Sequence, residues 1–299
     1  MEENGLGLII LTDSSSDLPL KYVEDNSNIL RVVGMPIVIG EESYIDDLGK
    51  TLKHSTFYDK LESGIMPRTS QINVIGFLDE YKKAYENGDS LIYLGLSSGL
   101  SGTMNNAELA KQMLLEEYPD ADISVIDTRA ASGGLGAMVA HTVSKVKEGK
   151  SREEVVDWIN SNVLKFNHWF AVDDLEHLKN GGRIPAAIAL LGTALKAKPV
   201  LTMSHEGKLR SYSSVRGRHK SIKQLYDKFS EHIGETDGKE VFICHANCIK
   251  DAEKLKKMIE ETHNPKEIYI TQLSATIGTH VGSGMLAVAF MGDKERENK

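Results

Sequence analysis

Cysteine is nearly missing from this chain of 299 residues, which has two, Cys244 and Cys248. No Cys-x-x-Cys pair, His-Glu-x-x-His run or His/Cys cluster accompanies them, so no metal site is expected and the thiols read as reduced core residues. Positive charge is also short. Lys and Arg number 35 against 43 Asp and Glu, a net charge of −8, and no stretch is rich in either cation. Binding to nucleic acid or to an anionic membrane surface is built on basic patches, so neither partner is expected. The first residues, Met-Glu-Glu-Asn-Gly-Leu-Gly, lack the basic and apolar regions of a secretory signal, and a cytoplasmic location is the expectation. Long apolar runs are absent too. Ile268–Gly292 is free of Asp, Glu, Lys and Arg, but threonines, serines, His280 and four glycines interrupt it. That stretch reads as a buried strand, a loop and a second strand, with no bilayer span or stable membrane insertion. No Gly-x-x-x-x-Gly-Lys-Ser/Thr occurs, which excludes a P-loop.

What is present is an alternation of strand and helix patterns, the mark of α/β architecture with parallel strands and crossover helices. Strand patterns cover Leu6–Thr12, Ile29–Ile39, Ser90–Leu96 and Asp122–Ile126. Helix patterns follow from Pro19, over Ser55–Ser63, over Asn73–Glu86 with Ile75, Leu78, Tyr81 and Tyr85 on one face, over Asn106–Tyr118 and over Leu135–Lys147. Ser151 with Glu154 has the spacing of a capping box. Beyond residue 165 the texture changes to strands at His168–Val172, Pro199–Ser204, Lys208–Val215, Glu240–Cys244, Ile268–Leu273 and Met285–Met291, with helices near 185–195, 217–233 and 248–262. The turn His205-Glu206-Gly207-Lys208 marks a hairpin, so this second sheet is expected to be mixed. Two domains, 1–165 and 166–299, are expected, with a frayed tail at Lys294–Lys299.

Three turns of the first half share one design, a hydrophobic strand followed by hydroxyls and glycines and then a helix. They are Thr12–Asp17, Ser97–Thr103 and Asp127–Gly134. In a parallel sheet they gather on the carboxyl edge, where open α/β folds bind ligands, and the free N–H groups of helix starts suit anions. Ser, Thr and Asp are equally good helix caps, so each turn has a purely structural reading as well. Gly95-Leu-Ser97-Ser-Gly99 fits the Gly-x-Ser-x-Gly nucleophile elbow with His280 downstream, which makes a serine hydrolase the competing reading. Against it, the following helix starts several residues late. Arg183, in Lys179-Asn-Gly-Gly-Arg-Ile-Pro185, can meet a carboxylate or phosphate with paired donors, or be salt-bridged to Asp173 or Asp174. A regulatory protein sensing a small anion is a third reading.

In order along the chain, TDSSSDLP (Thr12–Pro19), Thr69-Ser70-Gln71, SSGLSGT (Ser97–Thr103), DTRAASGGLG (Asp127–Gly136), LKNGGRIP (Leu178–Pro185), Lys198-Pro199-Val200-Leu201 and IGTHVGSG (Ile277–Gly284) resemble the DegV family of fatty-acid-binding proteins. The resemblance implies an N-terminal parallel α/β/α domain and a C-terminal mixed-sheet α/β domain with one long-chain fatty acid between them, and no cofactor besides that ligand. It also implies a non-catalytic role: the chain carries the acyl group for a bacterial fatty acid kinase, whose separate ATP-dependent subunit makes an acyl phosphate for phospholipid synthesis. Carried onto this sequence, Thr69 and Ser101 hydrogen-bond the carboxylate, Ser98, Gly102 and His280 are its neighbours, and Arg183 serves the phosphate or the docking of the kinase. The sequence departs from the family pattern at Asp47, Ile72 and Ser283.

Overall fold

The computed structural model describes residues 7–184, 197–236 and 238–298. Its strands are β1 (Leu8–Asp13), β2 (Leu30–Val33), β3 (Pro36–Ile39), β4 (Glu42–Ile45), β5 (Arg68–Thr69), β6 (Ser90–Gly95), β7 (Ile123–Asp127), β8 (Phe166–Ala171), β9 (Ala197–Met203), β10 (Leu209–Arg216), β11 (Glu240–His245), β12 (Glu267–Gln272) and β13 (Leu286–Met291). Its helices are α1 (Leu20–Asp25), α2 (His54–Glu62), α3 (Val74–Glu86), α4 (Thr103–Glu117), α5 (Ser132–Lys147), α6 (Arg152–Asn162), α7 (Glu176–Asn180), α8 (Arg218–His232), α9 (Ile249–Glu260) and α10 (Ala275–Val281). The helix expected near 185–195 lies outside the described residues.

The first sheet is fully parallel in the order β2-β1-β6-β7. The chain steps from β1 to one side and later returns on the other, so the carboxyl ends of β1 and β6 form a switch point. The second sheet is mixed, as the hairpin pattern predicts, in the order β10-β9-β8-β13-β11-β12 with only β11 and β12 parallel. A third, antiparallel sheet, β4-β3-β5, has no counterpart in the sequence reading. It arises because Ile29–Ile39 is two strands: a Cβ on Gly34 would stand 2.4 Å from the Asp46 carbonyl oxygen, so the chain passes tightly against Asp46 and leaves the parallel sheet there.

Helix α5 packs against both large sheets. Its first turns read Ser-Gly-Gly-Leu-Gly because there is no room for side chains. A Cβ on Gly133 would meet Cys244 Sγ at 2.5 Å, and one on Gly136 would meet the Ser16 carbonyl at 2.6 Å. Such a helix, buried nearly all round along its first three turns, needs apolar and small residues on every face. Both cysteines are free thiols, Cys244 in this packed layer. The capping box of α6 is closed in both directions: Ser151 Oγ accepts from Glu154 N and Glu154 Oε2 from Ser151 N, at 3.2 and 2.9 Å.

Several expectations need correction. The buried stripe of α3 is Phe77, Tyr81 and Ala84, and Ile75 is 58% exposed; Phe77 wins because its ring packs edge-on against Tyr93 of β6 at 4.9 Å. The loop expected between the last two strands holds α10. As far as Asn298 the tail is tied down rather than frayed. Arg296 is 2% exposed, and its guanidinium donates to the carbonyls of Phe166, Arg129 and Ser204 and approaches His168 Nε2 at 3.3 Å. A planar five-donor group is suited to collecting scattered acceptors in this way.

Candidate functional site

A cavity of about 420 Å³ lies where the carboxyl end of β6, the start of α5, strands β8 and β13, and α10 meet. This is within the ~300–1,000 Å³ usual for small-molecule sites. Thr69, Ser101, Arg183 and His280 are among its polar lining residues, and Leu100, Phe170, Met203, Ile277, Val281 and Ala287 represent its apolar wall.

Thr69 sits on β5, paired with Ile37 of β3. Its Oγ1 is 2.8 Å from Nε2 of His280 on α10. Burial, reinforced by Arg183 and His177, pushes the His280 imidazole down to about 4, so it is neutral near pH 7. Its Nδ1 has no hydrogen-bond partner among the described residues, so the tautomer that leaves no ring N–H unpaired carries the proton on Nε2. Nε2–H then donates to Thr69, and the Thr69 hydroxyl is left to donate onward. Ser101 lies just before α4. Its Oγ accepts from Thr103 N at 3.3 Å and shares a 2.9 Å contact with Thr103 Oγ1, beside the positive end of a fifteen-residue helix. These donors carry no net charge.

Arg183 is exposed, and its guanidinium donates to the carbonyls of Leu100 and Gly181, tying the end of α7 to the β6–α4 turn. It makes no ion pair with Asp173 or Asp174 among the described residues. Lys198 Nζ holds Asp173 at 2.8 Å, and Asp174 accepts from Glu176 N at the start of α7.

Ser98 and Gly102 fall outside the lining. The Asp127 carboxylate, at the end of the neighbouring strand β7, captures Ser98: Oγ donates to Oδ2 at 2.5 Å and N to Oδ1 at 3.2 Å. Gly102 is a spacer, since a Cβ there would sit 2.6 Å from the Gln71 side-chain nitrogen. The turn Thr12–Asp17 does not line the cavity either. Asp13 is fully buried and accepts from Ser15 N, Tyr93 OH and Leu96 N.

Ser97 is also no nucleophile by its surroundings. It is fully buried, its Oγ donates to the Gly207 carbonyl at 2.7 Å and accepts from Gly99 N at 3.1 Å, and the histidine of the elbow reading pairs with Thr69 instead. The hydroxyl is a clasp between the β9–β10 hairpin and the first sheet. Ser97→Ala is expected to cost about 1–2 kcal/mol of stability, because the buried Gly207 carbonyl and the half-buried Gly99 N–H lose their partner; an unchanged denaturation midpoint would contradict the clasp. Sequence reasoning missed Gln71, His168 and Thr276 as lining residues; only Gln71, within the Thr-Ser-Gln segment, had any signal.

Glu231, His232 and Glu297 bring three possible metal ligands together. The Lys228 ammonium already bridges both carboxylates there, at 2.7 and 3.3 Å. Among the described residues no helix is long and apolar enough to cross a membrane.

Two unlike sheets enclosing one cavity with uncharged donors among its lining define an α/β protein built to bury a small ligand. The family model described as "uncharacterised protein, DegV family" matches residues 8–293, and the chain belongs to the DegV family. A DegV domain-containing protein of Clostridium perfringens is 41% identical over 285 residues, 95% of this chain and 97% of that one. A solved DegV family protein from Thermus thermophilus, described by its fatty acid binding, has a TM-score of 0.86 at 30% identity, covering 96% of this chain and 100% of that one. The fatty acid kinase B3 protein of Streptococcus pneumoniae, loaded with linoleic acid, shares the fold with a TM-score of 0.82 at 23% identity, over 96% and 100% of the two chains.

Proposed function

We propose that this chain encloses one long-chain fatty acid and presents its carboxylate to a separate ATP-dependent kinase subunit, which phosphorylates it to an acyl phosphate for phospholipid synthesis. The observation that carries this reading is the pairing of Thr69 with a neutral, partly buried His280 in a cavity whose other wall is apolar. Thr69 and Ser101 donate to the carboxylate, with His280 behind Thr69. Hydroxyl donors hold an anion while leaving its oxygens nucleophilic, whereas a bidentate arginine would stabilise the ground state against phosphoryl transfer. Burial of the chain contributes roughly 0.8 kcal/mol per methylene. Arg183, exposed beside the cavity, serves the incoming phosphate or the kinase. The fatty acid binding described for the Thermus relative supports the ligand class.

Native mass spectrometry and lipid extraction of protein purified from its own host are expected to find a long-chain acid. A chain that is repeatedly empty and takes up no long-chain acid would sink the reading. Thr69→Val and Ser101→Ala are each expected to weaken fatty acid binding about 10-fold or more, the worth of a hydrogen bond to a charged group. Addition of the kinase subunit and ATP should yield acyl phosphate. Turnover of p-nitrophenyl esters lost on Ser97→Ala would favour a hydrolase, and binding of short carboxylates without dependence on chain length would favour an anion sensor.

A further inference from the structure

Helix α10 has seven residues, too few to persist without outside support, yet it carries His280. Its start is held by two buried carboxylates from the first half of the chain. Asp46, following β4, accepts through Oδ2 from Thr276 N at 2.8 Å and Thr276 Oγ1 at 2.6 Å, and through Oδ1 from Leu48 N at 3.2 Å. Asp17, following the Ser14–Ser16 turn, accepts from Ser274 N at 2.7 Å, and its own carbonyl takes the Thr271 hydroxyl at 2.9 Å. Among the described residues neither carboxylate forms a salt bridge. The groups facing Asp17 are Ser132 of α5, Cys244 of β11, Tyr58 of α2, Ser274 and Asp46 itself.

Three donors converge on Asp46, an arrangement that an acceptor-only carboxylate satisfies and an amide does not. It also gives the adjoining hydroxyls a direction. Thr276 Oγ1 donates to Asp46, so across its 3.2 Å contact with Ser14 Oγ it is the acceptor, and Ser14 Oγ in turn accepts from Met35 N at 3.0 Å. Thr276 and His280 are four residues apart, on one helix face, and both line the cavity.

We propose that Asp17 and Asp46 are positioning residues for the head-group site: by fixing Ser274 and Thr276 they set His280, one turn further on, at hydrogen-bonding distance from Thr69. The effect on ligand affinity rests on the carboxylate-binding role given above to Thr69 and His280, but the placement of His280 is readable without a ligand.

The test follows the His280 ring resonance through a pH titration of the ligand-free protein. In the parent the ring is expected to titrate near pH 4. In Asp46→Asn and in Asp17→Ala it is expected to titrate about one unit or more closer to the ordinary ~6.5, while His168, held separately by Arg296, does not move. An unmoved His280 in either variant overturns the role of that aspartate. Affinity for oleate gives the second arm. Asp46→Asn is expected to lose about 10-fold in the parent and less than about 2-fold in a His280→Gln background, because residues acting through one another are not additive. Equal losses in both backgrounds would assign Asp46 a general structural role and overturn the proposal. If Asp46→Asn does not fold, Thr276→Val, which keeps the backbone donor, is read in the same two ways. A parent that binds no oleate removes the proposed function, and the titration still decides the placement.

Discussion

Gly134→Ala is expected to destabilise the protein by about 3 kcal/mol or more, at the upper end of overpacking effects, and to lower the melting temperature by roughly 6 °C or more. The added Cβ would lie 1.6 Å from His168 Cε1 and 1.8 Å from its Nδ1. The ring is hemmed in on its far side, where His168 is buried at 6% exposure and the guanidinium of Arg296 faces its other nitrogen at 3.3 Å, so it would have to yield towards the cavity it lines. In an open helix the same substitution would gain up to ~1 kcal/mol from helix propensity, so the sign of the effect separates the two situations. A thermal melt decides, and an unchanged or raised melting temperature would mean that α5 and β8 can slide apart freely. Because Gly134 and His168 both line the cavity, any Gly134→Ala protein that folds is also expected to hold a shorter acyl chain.

Asp17→Asn is expected to make the protein more stable than its parent at pH 8, by up to about 4 kcal/mol, with the two converging near pH 4. Burial, opposed in part by the Ser132 and Ser274 groups, pushes the Asp17 carboxyl up from 3.8 to about 7. Between those values the unfolded chain has released a proton that the folded chain still holds. Stability therefore falls as pH rises through this window, at about 1.4 kcal/mol per pH unit. The contribution is fully present below about pH 4 and lost above about pH 7. Asparagine keeps the acceptor for Ser274 N and places a neutral N–H donor at the Oδ2 position, which has no hydrogen-bond partner among the described residues and lies in the neighbourhood of the likewise unpartnered Ser132 and Ser274 hydroxyls. Urea denaturation of both proteins at a series of pH values measures the difference, and parallel stability curves from pH 4 to 8 would contradict it.

The alternation of elements, the hairpin at Glu206-Gly207 and the mixed character of the second sheet were legible because each rests on local periodicity or turn chemistry. The fates of the three hydroxyl-rich turns were not. Thr12–Asp17 became an internal strut, Ser97–Thr103 was divided between a clasp at Ser97 and a cavity residue at Ser101, and Asp127–Gly134 holds Ser98 at one end and lines the cavity at the other, although all three turns use similar residue types. What separates them is which part of the second half lands on them, and Ser97 meets Gly207 across 110 positions of sequence. Helix α10 left no signal, since seven residues with threonines and a glycine have little helix preference of their own, and carboxylates far away in the chain supply the support. Arg296 was misread because its partners are mainly backbone carbonyls, which no side-chain pattern reveals. Thr69, Ser101 and His280 as a group came from resemblance, and their clustering could not have been read from spacing alone.

The position of β13 bears on how the chain reaches this state. Among the described residues it is the only link between β10-β9-β8 and β11-β12 in the six-stranded sheet, pairing with β8 across about 120 residues, Leu286 opposite Ala171. Until Leu286–Met291 docks, the sheet is two fragments with open inner edges. Closing so long a loop is entropically slow, and unpaired strand edges in the interval are aggregation-prone. Refolding from denaturant should therefore be slow and its yield sensitive to protein concentration, with the insertion of this one strand as the committing step.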